Sequence, residues 1–229
     1  MSTITSLAVE TTPSVISADV IALCERLGSG RPTFVPVQSV VGRHGWCFLN
    51  VREKIKLDKG AGLFGWNIWE YPNLYLTAEF HAVWQDPSGT LVDVTPKVDG
   101  ETRIVFAVDP HYSADFDFYK RPNNRRVRIY EPKPAASLVK ANIRDLSRSQ
   151  RILEEQRAAE NGMNLKQWVG SKASADPLCG LIDDFLQCAD EADKLLTPTP
   201  DGVFCDDMDM HALLEQHKMK LLAAIKARS

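Results

Sequence analysis

The sequence lacks the features that would mark a membrane, secreted or nucleic-acid-binding protein. No stretch reaches the roughly eighteen consecutive apolar residues of a membrane-spanning helix. The opening segment MSTITSLAVETTPS has no basic residues followed by an apolar run, so we expect no signal peptide. The net charge is only −3, which predicts neither a nucleic-acid-binding surface nor an acidic tail. We therefore expect a cytoplasmic globular protein.

Cysteine is scarce as well. The chain has five cysteines, an odd number, and no two of them form a Cys-x-x-Cys pair. A disulfide framework uses an even number in a short secreted chain, so we expect reduced thiols. Cys179, Cys188, Cys205 and His211 are too widely spaced for a compact zinc site, and we expect no metal.

The composition divides the chain into three parts. Residues 1–16 are polar and rich in Thr and Ser, and we expect them to be loose. Residues 17–131 predict one α+β domain, which opens with a short helix between an N-cap at Ser17 and a stop at Gly28. The segment PKPAAS then leads into residues 132–229, whose patterns predict a helical C-terminal region.

The strongest local signal is a β-hairpin in the middle of the α+β domain. Side chains alternate in LYLTAEFHAVW, which is typical of a strand. Asp86–Gly89 predicts the turn, and TLVDVTP the partner strand. Further strands are expected in GLFGWNIWEYP, at Arg103–Val108 after an Asp99-Gly100 turn, and at Val127–Tyr130. With a helix over FLNVREKIKLDKG, these patterns predict a helix packed on an antiparallel sheet.

Three helices are predicted in the C-terminal region. They are Ser137–Asn161, a helix that opens at Asp176-Pro177, and a last helix through Met210–Ile225 after the loop TPTPDG. The second and third carry wide apolar stripes that must be buried. We expect them to pack on each other and on the sheet domain, or to form a homodimer.

Cys47 stands where the loop GRHGW becomes a helix. A helix N-terminus presents free amide N–H groups and the positive end of the helix dipole, and both favour a thiolate. Gly42 and Gly45 allow a sharp turn into this helix. The amide of Trp46 is a candidate to hold an oxyanion, and Gln38 is the nearest polar side chain that could assist. The alternative is that Cys47 is simply packed in the core.

His81 and Asp93 supply the partners that a nucleophilic thiol needs. On antiparallel strands joined by an odd-length loop, residues whose numbers have an even sum share a face. His81 and Asp93 should then lie on one face with Glu79, opposite or diagonal to each other. A carboxylate placed there orients the imidazole and fixes its tautomer. The alternative is an ordinary half-solvated hairpin face.

A cysteine at a helix start, followed by strands that carry His and Asp in that order, resembles the core of transglutaminase-like cysteine hydrolases in the papain-like superfamily. The resemblance covers residues 38–108 and is clearest in HAVW at His81 and DVTP at Asp93. It implies a papain-like fold with Cys47 as nucleophile, His81 as general base and Asp93 as orienting group. The region GWCFLNV to VDVTP also resembles the leading domain of some bacterial proteins that end in a cysteine-rich zinc-binding tail.

Candidate substrate contacts lie on the same strands. Trp66 and Trp69 could stack on a substrate, and Glu79 shares the face of His81, although Trp at strand spacing is also typical of a core. The basic patch Lys120–Arg128 is typical of a solvated loop and edge strand, so nucleic acid is not an expected partner.

Together these residues predict a thiol-dependent hydrolase or acyltransferase that acts on an amide or peptide bond of a protein or peptide, without a metal or organic cofactor. The competing hypothesis is a non-enzymatic adaptor that keeps the fold and binds a protein partner through its C-terminal helices. A reactive Cys47 favours the enzyme, and a buried, inert Cys47 favours the adaptor.

Overall fold

The computed structural model describes residues 10–38, 42–97, 100–113, 115–132, 136–172, 176–199, 202–205 and 207–228. These residues form a mixed α/β structure of seven α-helices and an open antiparallel sheet. No helix in these ranges is both long enough and apolar enough to cross a membrane.

The chain divides into two compact units. The first combines Met1–Ile129 with Ile182–Ser229, and the second is Tyr130–Leu181. The sequence predicted a single break near residue 132, with everything after it in one helical region. Instead, the segment from Ile182 onwards belongs with the sheet.

The elements follow one another in this order: α1 (Ala18–Leu27), β1 (Thr33–Pro36), α2 (Cys47–Asp58), β2 (Ala61–Tyr71), β3 (Tyr75–Gln85), β4 (Leu91–Val92), β5 (Arg103–Val108), a 3-10 turn (Phe118–Lys120), β6 (Arg125–Arg128), α3 (Ala136–Arg144), α4 (Arg148–Glu160), α5 (Leu165–Lys172), α6 (Pro177–Lys194), β7 (Thr197–Thr199), β8 (Gly202–Phe204) and α7 (Met208–Lys226).

The main sheet has the order β1-β5-β2-β3-β4, and β6 also pairs with β3. Strands β2 and β3 form an uninterrupted hairpin from Ala61 opposite Gln85 to Tyr71 opposite Tyr75. This regular register preserves the predicted alternation. One face carries Ile68, Leu76, Ala78 and Phe80 and packs against α1, whereas the other carries Glu79 and His81.

Helix α1 begins and ends where the sequence predicted. The Ser17 hydroxyl accepts a hydrogen bond from the amide of Val20, and Gly28 ends the helix in the left-handed conformation with φ of 68°. Between them, Val20, Leu23 and Cys24 are buried against the sheet. The burial of these side chains removes the inner face of α1 from water and holds the helix on the sheet.

The outer edge of β3 is covered unevenly, and this decides where a site can form. Strand β6 pairs with residues 75–78, and β4 pairs with residues 84–85. Within the described residues, no strand pairs with residues 79–83 on that side. Helix α2 packs against β3, and Cys47 belongs to the same apolar cluster as Ala82 and Trp84 while it hydrogen-bonds His81.

The N-terminal segment differs from the expectation of a loose tail over residues 1–16. In its described part, Thr11 pairs with Glu70, and the amide and hydroxyl of Thr12 donate to the carboxylate of Glu101. Pro13 is buried. A polar segment is held here because the sheet edge offers it backbone partners, which composition does not reveal.

Several other boundaries also differ from the predictions. Strand β6 begins two positions before the predicted Val127 and ends at Arg128. The TPTPDG segment, expected as a loop, contributes to a small two-stranded sheet of β7 and β8. Asp99, part of a predicted turn, lies outside the described residues. The hairpin turn at Asp86–Gly89 is confirmed, with the amide of Asp86 donating to Thr90 and Gly89 at φ of 94°.

The second unit consists mainly of α3, α4 and α5. The single helix predicted over Ser137–Asn161 is broken in two, because Ser147 and Gln150 form a capping box that starts α4. Helix α5 was not predicted. Glu154 joins α4 to α5 by accepting from the Trp168 indole and the Lys172 ammonium, each at 2.5 Å.

Helix α6 passes from the second unit into the first, where its later residues pack beside the sheet. Arg126 on β6 donates to Asp190 at 2.8 Å and to Asp193 at 2.7 Å. Phe185 lies 5.7 Å from Tyr75 between ring centroids. The predicted packing of the C-terminal helices on the sheet domain is therefore found for this part of α6.

Candidate active site

Helix α2 begins at Cys47, so the thiol stands at the positive end of the helix dipole. The turn into the helix depends on Gly45, whose φ of 76° lies in the region that favours glycine. The Cys47 side chain is buried, with 7% of the residue exposed, and packs against Val51, Val92 and Val94. The sequence predicted this helix start from the two glycines and the apolar residues that follow.

Asn50 fixes the loop before Cys47. Its side-chain amide donates to the carbonyl of Arg43 at 2.8 Å, and its side-chain oxygen accepts from the amide of Arg43 at 3.0 Å. The same amide group lies 3.4 Å from the hydroxyl of Thr95. Asn50 therefore ties the loop before Cys47 to the segment that follows Asp93.

His81 and Asp93 share one sheet face, as their parity predicted. Strands β3 and β4 pair Trp84 with Val92, and this register places His81 diagonal to Asp93. The Nε2 atom of His81 lies 3.1 Å from Oδ2 of Asp93, with 3% and 0% of the two residues exposed.

The backbone of Asp93 is also held firmly. Its amide donates to the carbonyl of Pro36, and its carbonyl accepts from the amide of Gln38, each at 2.9 Å. Oδ1 of Asp93 accepts from the amide of Thr95 at 2.9 Å. The backbone of Asp93 thus bridges to the segment of β1, while its carboxylate points one oxygen at His81.

The charge state of His81 follows from its neighbours. Burial alone would lower its pKa, but the charges of Asp93 and Cys47 and hydrogen bonds to both raise the pKa to about 10. Because Nε2 faces Asp93, Nδ1 is the ring nitrogen left to hydrogen-bond the sulfur of Cys47. His81 is therefore an imidazolium at neutral pH, a form that stabilises a thiolate beside it.

Lys97 is a fourth member of this network. Its ammonium lies 2.8 Å from Oδ2 of Asp93, the same oxygen that faces His81. Burial alone would raise the pKa of Asp93, but the charges and hydrogen bonds of His81 and Lys97 outweigh it and hold the pKa below its usual value. Lys97 also lies over the ring of Trp69, 5.6 Å from the centroid. The positive charges of His81 and Lys97 thus both keep Asp93 ionised.

A cavity of about 110 Å³ opens beside the thiol. The residues that line it are His44, Gly45, Cys47, Trp69, Glu79, His81, Thr95, Pro96, Lys97 and Glu101. The indole of Trp69 donates to Oε2 of Glu79 at 2.8 Å, which fixes the orientation of both predicted substrate contacts. The cavity can hold a few atoms of a substrate next to the sulfur.

The structure does not bring the remaining predicted site residues into this cavity. Trp66 was predicted as a substrate contact, but its strand position turns it to the opposite face, where it is buried in the core and donates to Asp109 at 2.9 Å. Gln38 is exposed and does not line the cavity. The amide of Trp46 donates to Arg43 at 3.2 Å, which leaves the first amides of α2 as the better oxyanion donors.

The basic patch is largely neutralised by acidic residues. Besides Arg126, Arg128 donates to Asp183 at 2.8 Å. Arg121 differs, because it is near enough to Cys47 and Glu79 for both charges to act on it, although burial lowers its pKa. This patch therefore contributes one cation to the surroundings of the thiol.

Asn50, Thr95 and Lys97 were not predicted as site residues. A polar residue one turn after Cys47, on the inward side of α2, was the available signal for Asn50. For Lys97 there was no comparable signal, since its contact with Asp93 depends on the turn after β4. No cluster of three or more His, Cys, Asp or Glu side chains suited to a metal occurs in the described ranges.

Comparisons of the chain with protein-family models, with curated proteins and with solved structures gave no match. The geometry of the site is therefore the basis for any assignment. A thiol at a helix start, an imidazolium beside it and a buried carboxylate behind the imidazole can together perform nucleophilic attack on a carbonyl carbon and proton transfer to a leaving group.

Proposed function

We propose that the protein is a thiol-dependent hydrolase or acyltransferase that acts on an amide or peptide bond through Cys47, His81 and Asp93. The observation that carries this proposal is the hydrogen-bonded series from Cys47 through His81 to Asp93, which borders a cavity at the start of α2. A nucleophile, a base and a group that orients the base are the parts that acyl transfer requires.

In the proposed reaction, the sulfur of Cys47 attacks the carbonyl carbon and the carbonyl oxygen becomes an oxyanion. The first amides of α2 have no acceptor inside the helix and can donate to the oxyanion. The Nδ1 proton of His81 passes to the leaving amine as the carbon–nitrogen bond breaks, and a thioester remains. Water or an amine then attacks the thioester and gives its proton to His81. The carbon–sulfur bond breaks, the acid or the new amide leaves, and Cys47 and the His81 imidazolium are restored.

The arrangement supports a papain-like fold as part of the same proposal. A helix that begins with the cysteine packs on an antiparallel sheet, and adjacent strands supply the histidine and the aspartate. This order of elements is the one that the resemblance to transglutaminase-like hydrolases implies.

A competing proposal is an adaptor that keeps the fold without catalysis. Two observations favour it: Cys47 is 7% exposed, and α7 presents exposed apolar side chains, among them Leu213 and Met219. Such side chains on one helix suit a protein partner or a second copy of the chain.

Thiol labelling separates the two proposals. Iodoacetamide labelling of the native protein, read by peptide mass spectrometry between pH 5 and 9, should modify Cys47 faster than the other cysteines if the thiol is a nucleophile. A Cys47 that labels no faster than Cys24 across this range would overturn the enzymatic proposal and leave the adaptor.

A further inference from the structure

A second, larger cavity lies directly beside the cavity of Cys47. Its volume is about 480 Å³, and the two cavities share His44 and Trp69 in their walls. A substrate whose carbonyl reaches Cys47 can therefore extend past Trp69 into the second cavity. Its size suits one long side chain with neighbouring backbone atoms.

The wall of the second cavity on the sheet side is aromatic. Trp69, Tyr71 and Tyr75 lie on one sheet face, and Phe185 from α6 closes the row. The Tyr71 and Tyr75 rings are 5.4 Å apart, and Tyr75 and Phe185 are 5.7 Å apart, between centroids. Faces of aromatic rings attract ammonium and guanidinium groups.

A half-buried carboxylate, that of Glu10, stands in the same cavity. Glu10 accepts from the Thr77 hydroxyl at 3.1 Å and also hydrogen-bonds Tyr75, so its direct partners are neutral. Burial raises the pKa of Glu10, and its hydrogen bonds offset this only in part. A cation placed against Glu10 would replace the solvation that burial removes.

The cations near Glu10 are already engaged elsewhere. Arg126 acts on Glu10 through its charge, but its guanidinium is hydrogen-bonded to Asp190 and Asp193. Lys218, at the α7 side of the cavity, lies 3.7 Å from Glu215. Arg126 and Lys218 are therefore each paired with a carboxylate, whereas Glu10 has no ion-pair partner among the described residues.

The first cavity also contains carboxylates. Glu79 and Glu101 line it, and the ammonium of Lys97 is paired with Asp93. An acidic side chain of a substrate would meet carboxylates in both cavities. A purely aliphatic side chain would pack against the aromatic wall, but it would bury Glu10 further without supplying a counter-charge.

We propose that the second cavity binds the ammonium or guanidinium group of a lysine or arginine side chain next to the bond that Cys47 attacks, with the cation between the aromatic wall and Glu10. This inference rests on the proposed function and narrows its substrates to basic peptides or proteins. Trp69, which borders both cavities, links recognition of the side chain to the reacting carbonyl.

Peptidyl chloromethyl ketones that differ only in one side chain test the inference in the reaction. Lysine, norleucine and glutamate at the residue next to the warhead are compared by the rate at which Cys47 is alkylated, read by intact mass. We expect the lysine probe to react at least about 10-fold faster than the norleucine probe, a rate ratio that corresponds to about 1.4 kcal/mol. The glutamate probe should be slowest.

Substitutions of single glutamates show which carboxylate produces the preference for lysine over norleucine. Glu10→Gln should bring the lysine-to-norleucine ratio close to one, and Glu215→Gln, at an exposed position, should lower it less. Glu25→Gln on the exposed side of α1 is the matched control and should keep the full ratio. A ratio near one in the unmodified protein, or a ratio that Glu10→Gln leaves intact, overturns the inference.

A binding measurement separates this inference from the proposed function. Nα-acetyl-lysine methylamide and its norleucine analogue are titrated into the Cys47→Ala protein by calorimetry, where no thiol chemistry can occur. Tighter binding of the lysine compound that Glu10→Gln abolishes supports the cavity assignment even if iodoacetamide shows Cys47 to be inert. Equal binding of the two compounds overturns the assignment even if Cys47 proves reactive.

Discussion

Helices α1 and α2 both place a buried cysteine against the same sheet, yet the two thiols stand in different chemical surroundings. Cys24 lies inside α1, 1% exposed among apolar residues, and burial raises its pKa. Cys47 is the first residue of α2 and hydrogen-bonds the imidazolium of His81 on β3. Burial alone therefore does not separate a structural cysteine from a candidate nucleophile, whereas position on the helix and the neighbouring charge do.

The largest expected difference between the surroundings of Cys24 and Cys47 is in how pH changes their contribution to the free energy of unfolding, because only Cys47 has His81 beside it. The folded pKa of His81 is raised from 6.5 to about 10. A raised pKa stabilises the fold fully below about pH 6.5, and this stabilisation is lost as pH rises through about 10. At about 1.4 kcal/mol per pKa unit, the change is on the order of a few kcal/mol.

Urea unfolding of the natural protein and of His81→Gln at pH 6, 8 and 10 measures this change. The difference in unfolding free energy between the two proteins should shrink steadily as pH rises. A difference that stays constant from pH 6 to 10 would show that His81 is not charged in the folded protein.

The next contrast is the reactivity of the two thiols. Cys47 should alkylate with iodoacetamide at least about 30-fold faster than Cys24 near pH 7, because the neighbouring His81 imidazolium and the start of α2 favour attack by its sulfur, whereas burial raises the pKa of Cys24. Peptide mass spectrometry of the native protein gives both rates in one sample. The fully unfolded protein, in which the rates should converge, is the control.

His81 itself should account for much of that reactivity. His81→Ala should slow labelling of Cys47 by about 10-fold near pH 7 and leave Cys24 unchanged, since only Cys47 has this partner. His111 is a matched control: it also pairs with an aspartate, Asp109, at 2.8 Å, but its side chain is exposed. If His111→Ala slows Cys47 as much as His81→Ala does, the effect is not due to the ion pair.

The smallest contrast is in packing. Cys24→Ala should lower the free energy of unfolding by about 1–2 kcal/mol, because the vacated volume lies in a closed apolar core. Cys47→Ala should cost less than about 1 kcal/mol, since its side chain borders a cavity. Thermal unfolding of both variants checks the order, and a larger loss from Cys47→Ala would favour the adaptor.

Local patterns were sufficient for the elements that build the site. The caps of α1 at Ser17 and Gly28, the start of α2 at Cys47 and the alternation along β3 depend on residues close together in the chain. The pairing of His81 with Asp93 followed from parity across one short hairpin. These are contacts whose geometry is set by helix and strand periods.

Other features depend on residues that are distant in sequence. The break at Ser147 was readable from its capping box and was missed, whereas the return of the chain from Ile182 to the sheet had no local signal. Trp66 and Trp69 look alike in the sequence, but the register turns the first into the core and the second into the cavity.

The sequence by itself determined the order of Cys47, His81 and Asp93 and the helix and strands around them, because these depend on local periodicity and turn chemistry. The tertiary structure decided that, within the described residues, no strand pairs with residues 79–83 of β3 on the side away from β2, that Cys47 hydrogen-bonds His81 of this stretch, and that Asn50 and Lys97 complete the network. It also brought Phe185 beside Tyr75 and Glu10 into one cavity. Such arrangements depend on which distant segments pair and pack, and no short stretch of sequence specifies that choice.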